Sequence, residues 1–324
     1  MNAGTQSSRR TMLRGVGCVG VALGLTIAIF AAIPSAEEAA SSDGFISGVV
    51  ESSTGVEAGV WVIAETEELE TKFAKIVVTD DAGRFVIPEL PNVTYDVWVR
   101  GYGLVDSEKV KLSPSSNEVK LAGVVAPNEQ AAAEYYPGNY WYSLIEPPAA
   151  HEFPGTGPDG NGISPALKSQ GAWVDIMKQG CQLCHQLGNE ATRVVQNLDD
   201  FDSAVEAWDH RVQTGQRGTS MSGAMSRFGR GRALEMYADW TDRIAAGETP
   251  PRPPRPDGIE QNLVVTLWDW GTDSSFIHDE IATDKRNPQL NGNGPVYGVS
   301  AGHGTVTFVD PVANTAVELT IPVR

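Results

Sequence analysis

The sequence predicts a multidomain chain: an all-β sandwich, then a small all-α domain, then C-terminal β strands. Three observations predict it. Residues 45–122 alternate apolar and polar positions between turn residues. Residues 164–247 place apolar side chains at helical spacing around two cysteines, and residues 261–324 return to strand-like runs after a Pro-rich stretch. A length of 324 residues suits two or three domains, and 41% hydrophobic content without a triplet repeat excludes a fibrous, collagen-like or wholly disordered chain. Lys+Arg number 24 against 41 Asp+Glu, a formal charge of −17. That sign repels phosphate backbones, excluding a nucleic-acid partner, and suits a basic partner protein or simple solubility.

Residues 1–36 read as an export signal. Arg9 and Arg10 precede an apolar run from Gly15 to Ala32, and Ile33-Pro34-Ser35-Ala36 offers a small-residue cleavage site. The paired arginines resemble a twin-arginine signal, with Met12 where an aromatic is usual. An ordinary secretory signal and an uncleaved anchor are the other readings, since the run approaches the ~20 residues that span a bilayer. Cleavage after Ala36 removes Arg9, Arg10 and Arg14 and no acid, taking the charge from −17 to −20. Cys18 lacks the Leu three residues earlier that a lipoprotein site wants. Its removal leaves Cys181 and Cys184 as the thiols of an exported, periplasmic chain, where thiols are oxidised unless they have a purpose.

Residues 43–125 hold the predicted strands: Phe45–Val50, Gly59–Ala64, Lys75–Thr79, Phe85–Ile87, Tyr95–Val99 and Glu118–Leu121. Short strands at this spacing imply a small sandwich, with Asp81-Ala82-Gly83 turning the chain between two of them. Gly48-Val49-Val50, Ala58-Gly59-Val60, Thr79 to Phe85, Leu90 to Tyr95 and Gly101-Tyr102 resemble the carboxypeptidase regulatory-like family over nearly the whole segment. The resemblance implies a rigid spacer or binding module without a catalytic centre. Asp80 and Asp81 are candidate cation ligands, with turn chemistry the plainer account.

Residues 126–163 form a linker rich in aromatics, Gly and Pro. Tyr135, Tyr136, Tyr140, Trp141 and Tyr142 are too many large rings to leave in water, so they are expected to pack on the sandwich, cover a porphyrin edge or simply strap domains together. His151 is a candidate ligand in this strap.

The strongest chemical signal is Cys181-Gln182-Leu183-Cys184-His185, the C-x-x-C-H pattern of covalent c-type haem attachment. Two thiols one turn apart can add to the two vinyl groups on one porphyrin edge, and the next residue sets an imidazole under the iron. A redox disulfide does not need His185, and zinc needs two further ligands that no second Cys pair supplies. Ala166, Leu167, Ala172, Trp173, Ile176 and Met177 recur at helical spacing before the pair; Phe201–Val212 and Arg232–Ile244 read as later helices, the second ended by Gly247. Residues 164–247 thus resemble a class I-like cytochrome c domain. That resemblance implies one covalent haem c held by Cys181 and Cys184, with His185 as proximal iron ligand.

In such domains a Met ahead of the last helix commonly closes the sixth iron position. Met221 is the expected ligand, because the Gly215–Ser220 stretch reads as a loop from which it can swing over a porphyrin. Met225 near the helix start is the second candidate, and His210 the third.

Residues 248–260 read as a stiff Pro-rich spacer. Residues 261–324 then hold Leu263–Trp270 and the hairpin Thr305–Asp310 and Thr315–Ile321, which resembles half a blade of a streptogramin-lyase or NHL-like β-propeller. One blade cannot close a propeller of ~4–8 blades. The strands are expected to complete another domain's sheet or to begin a longer polypeptide. His278, Asp279, Glu280 and Asp284 form a polar cluster open to metal binding or to plain solvation.

The function these features imply is periplasmic electron transfer by a monohaem cytochrome docking on a basic redox partner, with no membrane contact except through an uncleaved signal. The alternative is the haem-bearing part or subunit of a periplasmic redox enzyme or propeller-type lyase. No Ser-His-Asp set, acid–base carboxylate pair or nucleotide loop argues for catalysis in this chain. Twin-arginine export carries folded proteins, whereas haem attachment follows export of an unfolded chain, so the two N-terminal and haem motifs conflict. The haem motif carries more weight.

Overall fold

The computed structural model describes residues 44–182, 186–215, 217–270, 277–292, 294–300 and 303–322. The export signal at 1–36 lies outside them. In the sandwich segment the strands are β1 (Gly44–Ser52), β2 (Gly55–Val56), β3 (Trp61–Thr66), β4 (Lys72–Val78), β5 (Arg84–Leu90), β6 (Tyr95–Arg100), β7 (Leu104–Val105), β8 (Val110–Leu112), β9 (Val119–Ala122) and β10 (Val124–Val125). Strand β1 pairs antiparallel with β2 and β5 and parallel with β9, while β4, β3, β6 and β8 run side by side in a second sheet. The period-2 alternation sends Val50, Ile87 and Leu121 from one sheet and Val62, Val97 and Val99 from the other into a shared core.

Two polar devices belong to this scaffold. The Asp80 carboxylate accepts from the backbone N–H groups of Ala82 (2.9 Å) and Arg84 (2.8 Å) and from the Arg84 guanidinium (2.8 Å), with Gly83 at φ +72°. Turn chemistry therefore occupies the oxygens that a cation would need. Lys75 points into the sandwich, and its Nζ donates to the carbonyls of Pro88 (3.1 Å) and Glu89 (2.9 Å), which compensates the buried ammonium.

The second sheet gains a fifth strand from far along the chain. Strand β11 (Val264–Asp269) pairs antiparallel with β4, from Val264 opposite Val77 to Asp269 opposite Lys72. This strand lies in the segment 261–324, and its pairing completes the sandwich sheet. The Pro-rich stretch delivers it there, because Arg255 donates to the Tyr102 carbonyl (2.9 Å) and pairs with the buried Glu57 (2.6 Å). Trp268 then closes the core beside Phe73, ring centroids 6.2 Å apart.

The C-terminal sheet is β12 (His278–Ile281), β13 (Val296–Ser300), β14 (Thr305–Asp310) and β15 (Thr315–Thr320), antiparallel and in sequential order. The predicted hairpin is β14–β15; two further strands precede it in a stretch too irregular to show alternation. Asp284 pairs with Arg286 (2.8 Å), and among the described residues no group of His, Cys, Asp and Glu gathers to hold a metal. The side chains of His278 and Asp279 lie outside the description.

Between the β regions run helices α1 (Glu129–Ala133), α2 (Gly138–Tyr142), α3 (Gln170–Met177), α4 (Glu190–Arg193), α5 (Ala204–Gln213), α6 (Gly218–Phe228) and α7 (Arg230–Ala245). Tyr136 and Trp141 of the linker bury themselves with Tyr102 of the sandwich, so the linker aromatics do pack. The predicted helix at Phe201 starts later, where the Ser203 side chain accepts from the Glu206 N–H and leaves Phe201 extended. Helix α7 matches its prediction closely and ends before Gly247 at φ +101°. The molecule is multidomain and β-rich, with mixed sheets, several helices and, among the described residues, no helix long and apolar enough to cross a membrane.

Candidate functional site

Helix α3 begins at Ser169, whose hydroxyl accepts from the Ala172 N–H (3.2 Å), and buries Trp173, Ile176 and Met177 on one stripe. The chain continues through a π-helical turn, Lys178–Gln182, a geometry frequent at functional sites. Gly180 lets this turn approach α6: a Cβ there would stand 3.1 Å from that of Ala224. Cys181 follows, partly buried. Leu183, Cys184 and His185 lie outside the described residues.

The chain resumes at Gln186 and turns at Gly188, where φ is +98° and a Cβ would come within 1.9 Å of the Gly138 carbonyl. Asn189 caps α4 by accepting from the Thr192 N–H (3.0 Å), and the Thr192 hydroxyl accepts from the Gly188 N–H (2.8 Å). Arg193, 5% exposed, donates to the Gly188 carbonyl (3.1 Å), pairs with Glu134 (2.6 Å) and lies 4.4 Å over the Trp141 ring. This fixed corner holds the segment after the cysteine pair against the linker.

These elements enclose a cavity of about 220 Å³. Cys181 and Leu187 form one side, Trp208 and Val212 of α5 another, and Met221 and Met225 of α6 a third, with Tyr237 of α7 behind. The two methionines are four residues apart and share one face of α6. The loop expected to carry Met221 is therefore helical from Gly218 onward, because packing of α6 on α5 and α7 overrides the weak propensity of Gly218-Thr219-Ser220. Met225 is buried in the same apolar cluster as Phe228 and Trp173, while Met221 is only partly buried.

The remaining sequence candidates fall elsewhere. His210 is exposed with its ring tilted against Phe201 at 5.2 Å, and His151 is exposed in the 3-10 turn Ala150–Glu152. Neither lines the cavity.

The electrostatics of the cavity are one-sided. None of its described lining residues is acidic, and two are arginines, Arg211 and Arg217. The Arg211 guanidinium lies 4.8 Å over the Trp208 ring and donates to the carbonyls of Thr192 (3.2 Å), Val194 (3.4 Å) and Ala191. Burial lowers its pKa from the usual range, so it is a cation held among neutral acceptors. Tyr237, 1% exposed, sets its hydroxyl 3.5 Å from the Cys181 sulfur and stacks on Trp208 at 5.0 Å. Burial first, and the adjoining Cys181 second, push its phenol well above the ordinary range.

The pocket thus combines apolar walls, two cationic side chains, two thioethers from α6 and one thiol. The spacing of the cysteines marks Cys181, whereas nothing local in the sequence marks Trp208, Arg211, Arg217 and Tyr237 as site residues beyond the place of Tyr237 on the apolar stripe of the last helix.

No family model matches the chain, and no curated protein matches it. Among solved structures, a chain of a mutant type II Cohesin-X-Dockerin complex from Acetivibrio cellulolyticus is similar to 26% of this chain at 16% identity, with a TM-score of 0.20. The matched region spans 58% of that chain.

Proposed function

We propose that the chain is an exported, periplasmic monohaem c-type cytochrome that carries single electrons, with the β-sandwich as a binding or spacer module. The observation that carries this reading is that Cys181, the first cysteine of the C-x-x-C-H run, opens on an acid-free apolar cavity walled by Met221 and Met225. The residues fit the group. Cys181 and Cys184 would tether one haem c, His185 would hold its iron from one side, and Met221 or Met225 from the other. When bound, the haem supplies a one-electron iron couple. The chain would do the rest: Leu187, Trp208 and Val212 would exclude water, Arg211 and Arg217 would supply positive charge for the haem's carboxylates, and Tyr237 stays a neutral phenol.

Visible spectra of the purified holoprotein in both oxidation states, with peroxidase staining after denaturation, test this. The expected result is a reversible one-electron spectrum and a stain that survives denaturation. A colourless protein from a cell with working cytochrome maturation removes the reading.

A second reading draws on the C-terminal sheet, whose four consecutive antiparallel strands have the order of a propeller blade. On it, the chain is the haem-bearing part of a redox enzyme or propeller-type lyase. Turnover of a small organic donor by the isolated holoprotein supports this one; reduction and reoxidation without turnover support the first.

A further inference from the structure

Helix α4 has two sides. Ala191 and Thr192 line the cavity, while Glu190 lines a separate surface groove of about 610 Å³. The groove's other walls include Trp61 and Tyr102 of the sandwich and Glu134, Tyr135 and Tyr136 of the linker. It is thus built jointly by three segments, and α4 contributes residues to both places.

Aromatic side chains stand between the two places, joined by ring contacts, one hydrogen bond to backbone and a shared buried cluster. Trp208 in the cavity wall lies 6.4 Å from Trp240, whose indole N–H donates to the Trp141 carbonyl (3.0 Å). Trp141 shares a buried cluster with Tyr136 and Tyr102. Tyr136 meets Tyr102 edge-on at 5.6 Å, and Tyr102 meets Trp61 at 4.8 Å. The last of these rings stands in the groove.

The charges leave the groove negative. Arg100, which lies over the Tyr135 ring, is matched by a two-pronged contact with Asp106 at 2.7 Å, and Arg193 is matched by Glu134. Glu190 has no ion pair among the described residues. An unmatched carboxylate beside aromatic faces is a receptor for a lysine or arginine side chain.

We infer that this groove is the docking site of a basic one-electron metalloprotein, with the aromatic series as the medium between cavity and partner. The inference rests on the electron-carrier reading. One electron leaves the reduced haem iron and enters the oxidised metal of the partner; no atom or proton travels with it, and the rings are not themselves oxidised.

The test uses the reduced holoprotein and an oxidised basic c-type cytochrome as probe, mixed by stopped flow at low and high salt. Wild type is compared with Glu190→Gln, Trp61→Leu and Glu318→Gln, the last on the exposed C-terminal strand. At low salt the first two variants are expected to react about threefold more slowly and Glu318→Gln to match wild type, with the visible spectra of all four identical. Carbodiimide coupling should join Glu190 to a lysine of the probe. Equal slowing in Glu318→Gln, unchanged groove variants, or coupling confined to other acids overturns the docking site. A wild type without covalent haem instead overturns the electron-carrier reading on which it rests.

Discussion

Tyr95 and Tyr237 are both almost wholly buried, and their hydroxyls serve different ends. In the sandwich, Tyr95 donates to the Pro91 carbonyl (2.9 Å), Thr79 to the Glu57 carbonyl (2.6 Å) and Lys75 to two carbonyls, so inward polar groups close onto the sandwich's own backbone. In the helical region, Tyr237 faces Cys181 and Arg211 crowds the cavity. The sandwich, once β11 joins it, closes most of its buried polar groups within its own sheets. The helical region directs its buried chemistry toward a shared opening, and the proposed haem belongs to its core as much as to its function.

The largest way to break this contrast is to remove the tether. Replacing both thiols, Cys181→Ser with Cys184→Ser, is expected to abolish covalent haem and to lower hydrogen-exchange protection of α5 and α7 about a hundredfold, leaving β1 to β9 as they were. Exchange measured by mass spectrometry on wild-type and doubly substituted protein checks it. Equal loss in both regions would mean that the sandwich leans on the cofactor too.

The two methionines divide next. Met225→Ala removes a side chain packed among Phe228 and Trp173 and is expected to cost about 2–5 kcal/mol in thermal or denaturant unfolding, while the sulfur-to-iron band of the oxidised spectrum remains. Met221→Ala is expected to abolish that band and to cost about 1 kcal/mol or less, because Met221 is only partly buried. A band lost with Met225 and kept without Met221 reverses the assignment.

These two residues also show where the sequence stops being legible. Period-2 alternation marks β4 and β5 because each strand buries one face locally, and the cysteine spacing marks Cys181 because attachment chemistry is local as well. The position of Met221 depends on α6 packing against α5 and α7, which no nearby residue announces. Strand β11 is the same lesson in the sheet: Val264–Asp269 reads as a strand, yet which open edge receives it is decided by Arg255 gripping Glu57 and Tyr102 across the fold. Arg211 and Trp208 join the cavity through three-residue spacing on α5, a pattern shared with any amphipathic helix.

Within the sandwich, Lys75→Met takes the donor from two inward carbonyls and is expected to destabilise by about 1–3 kcal/mol, read as a lower Tm with an unchanged visible spectrum. A shifted spectrum would show that the two regions are less independent than their buried polar groups imply.

The smallest expected effect sits where the regions meet. Tyr102 packs edge-on to Trp61 of β3 and to Tyr136 of the linker, and burial, with Tyr140 and Tyr136 adding, pushes its phenol up from 10.0 to about 12. The folded state therefore prefers the neutral form. Its contribution is whole below pH 10, declines as the unfolded chain ionises first, and is gone once the pH passes about 12. Tyr102→Phe has nothing to ionise, so stability at neutral pH should change by about 1 kcal/mol or less. Its alkaline limb should move to higher pH, with loss of linker protection delayed relative to wild type. Thermal melts across that window, with phenolate absorbance recorded alongside, decide it: if both proteins lose stability along the same curve, the contact between sandwich and helices is held by groups other than this phenol.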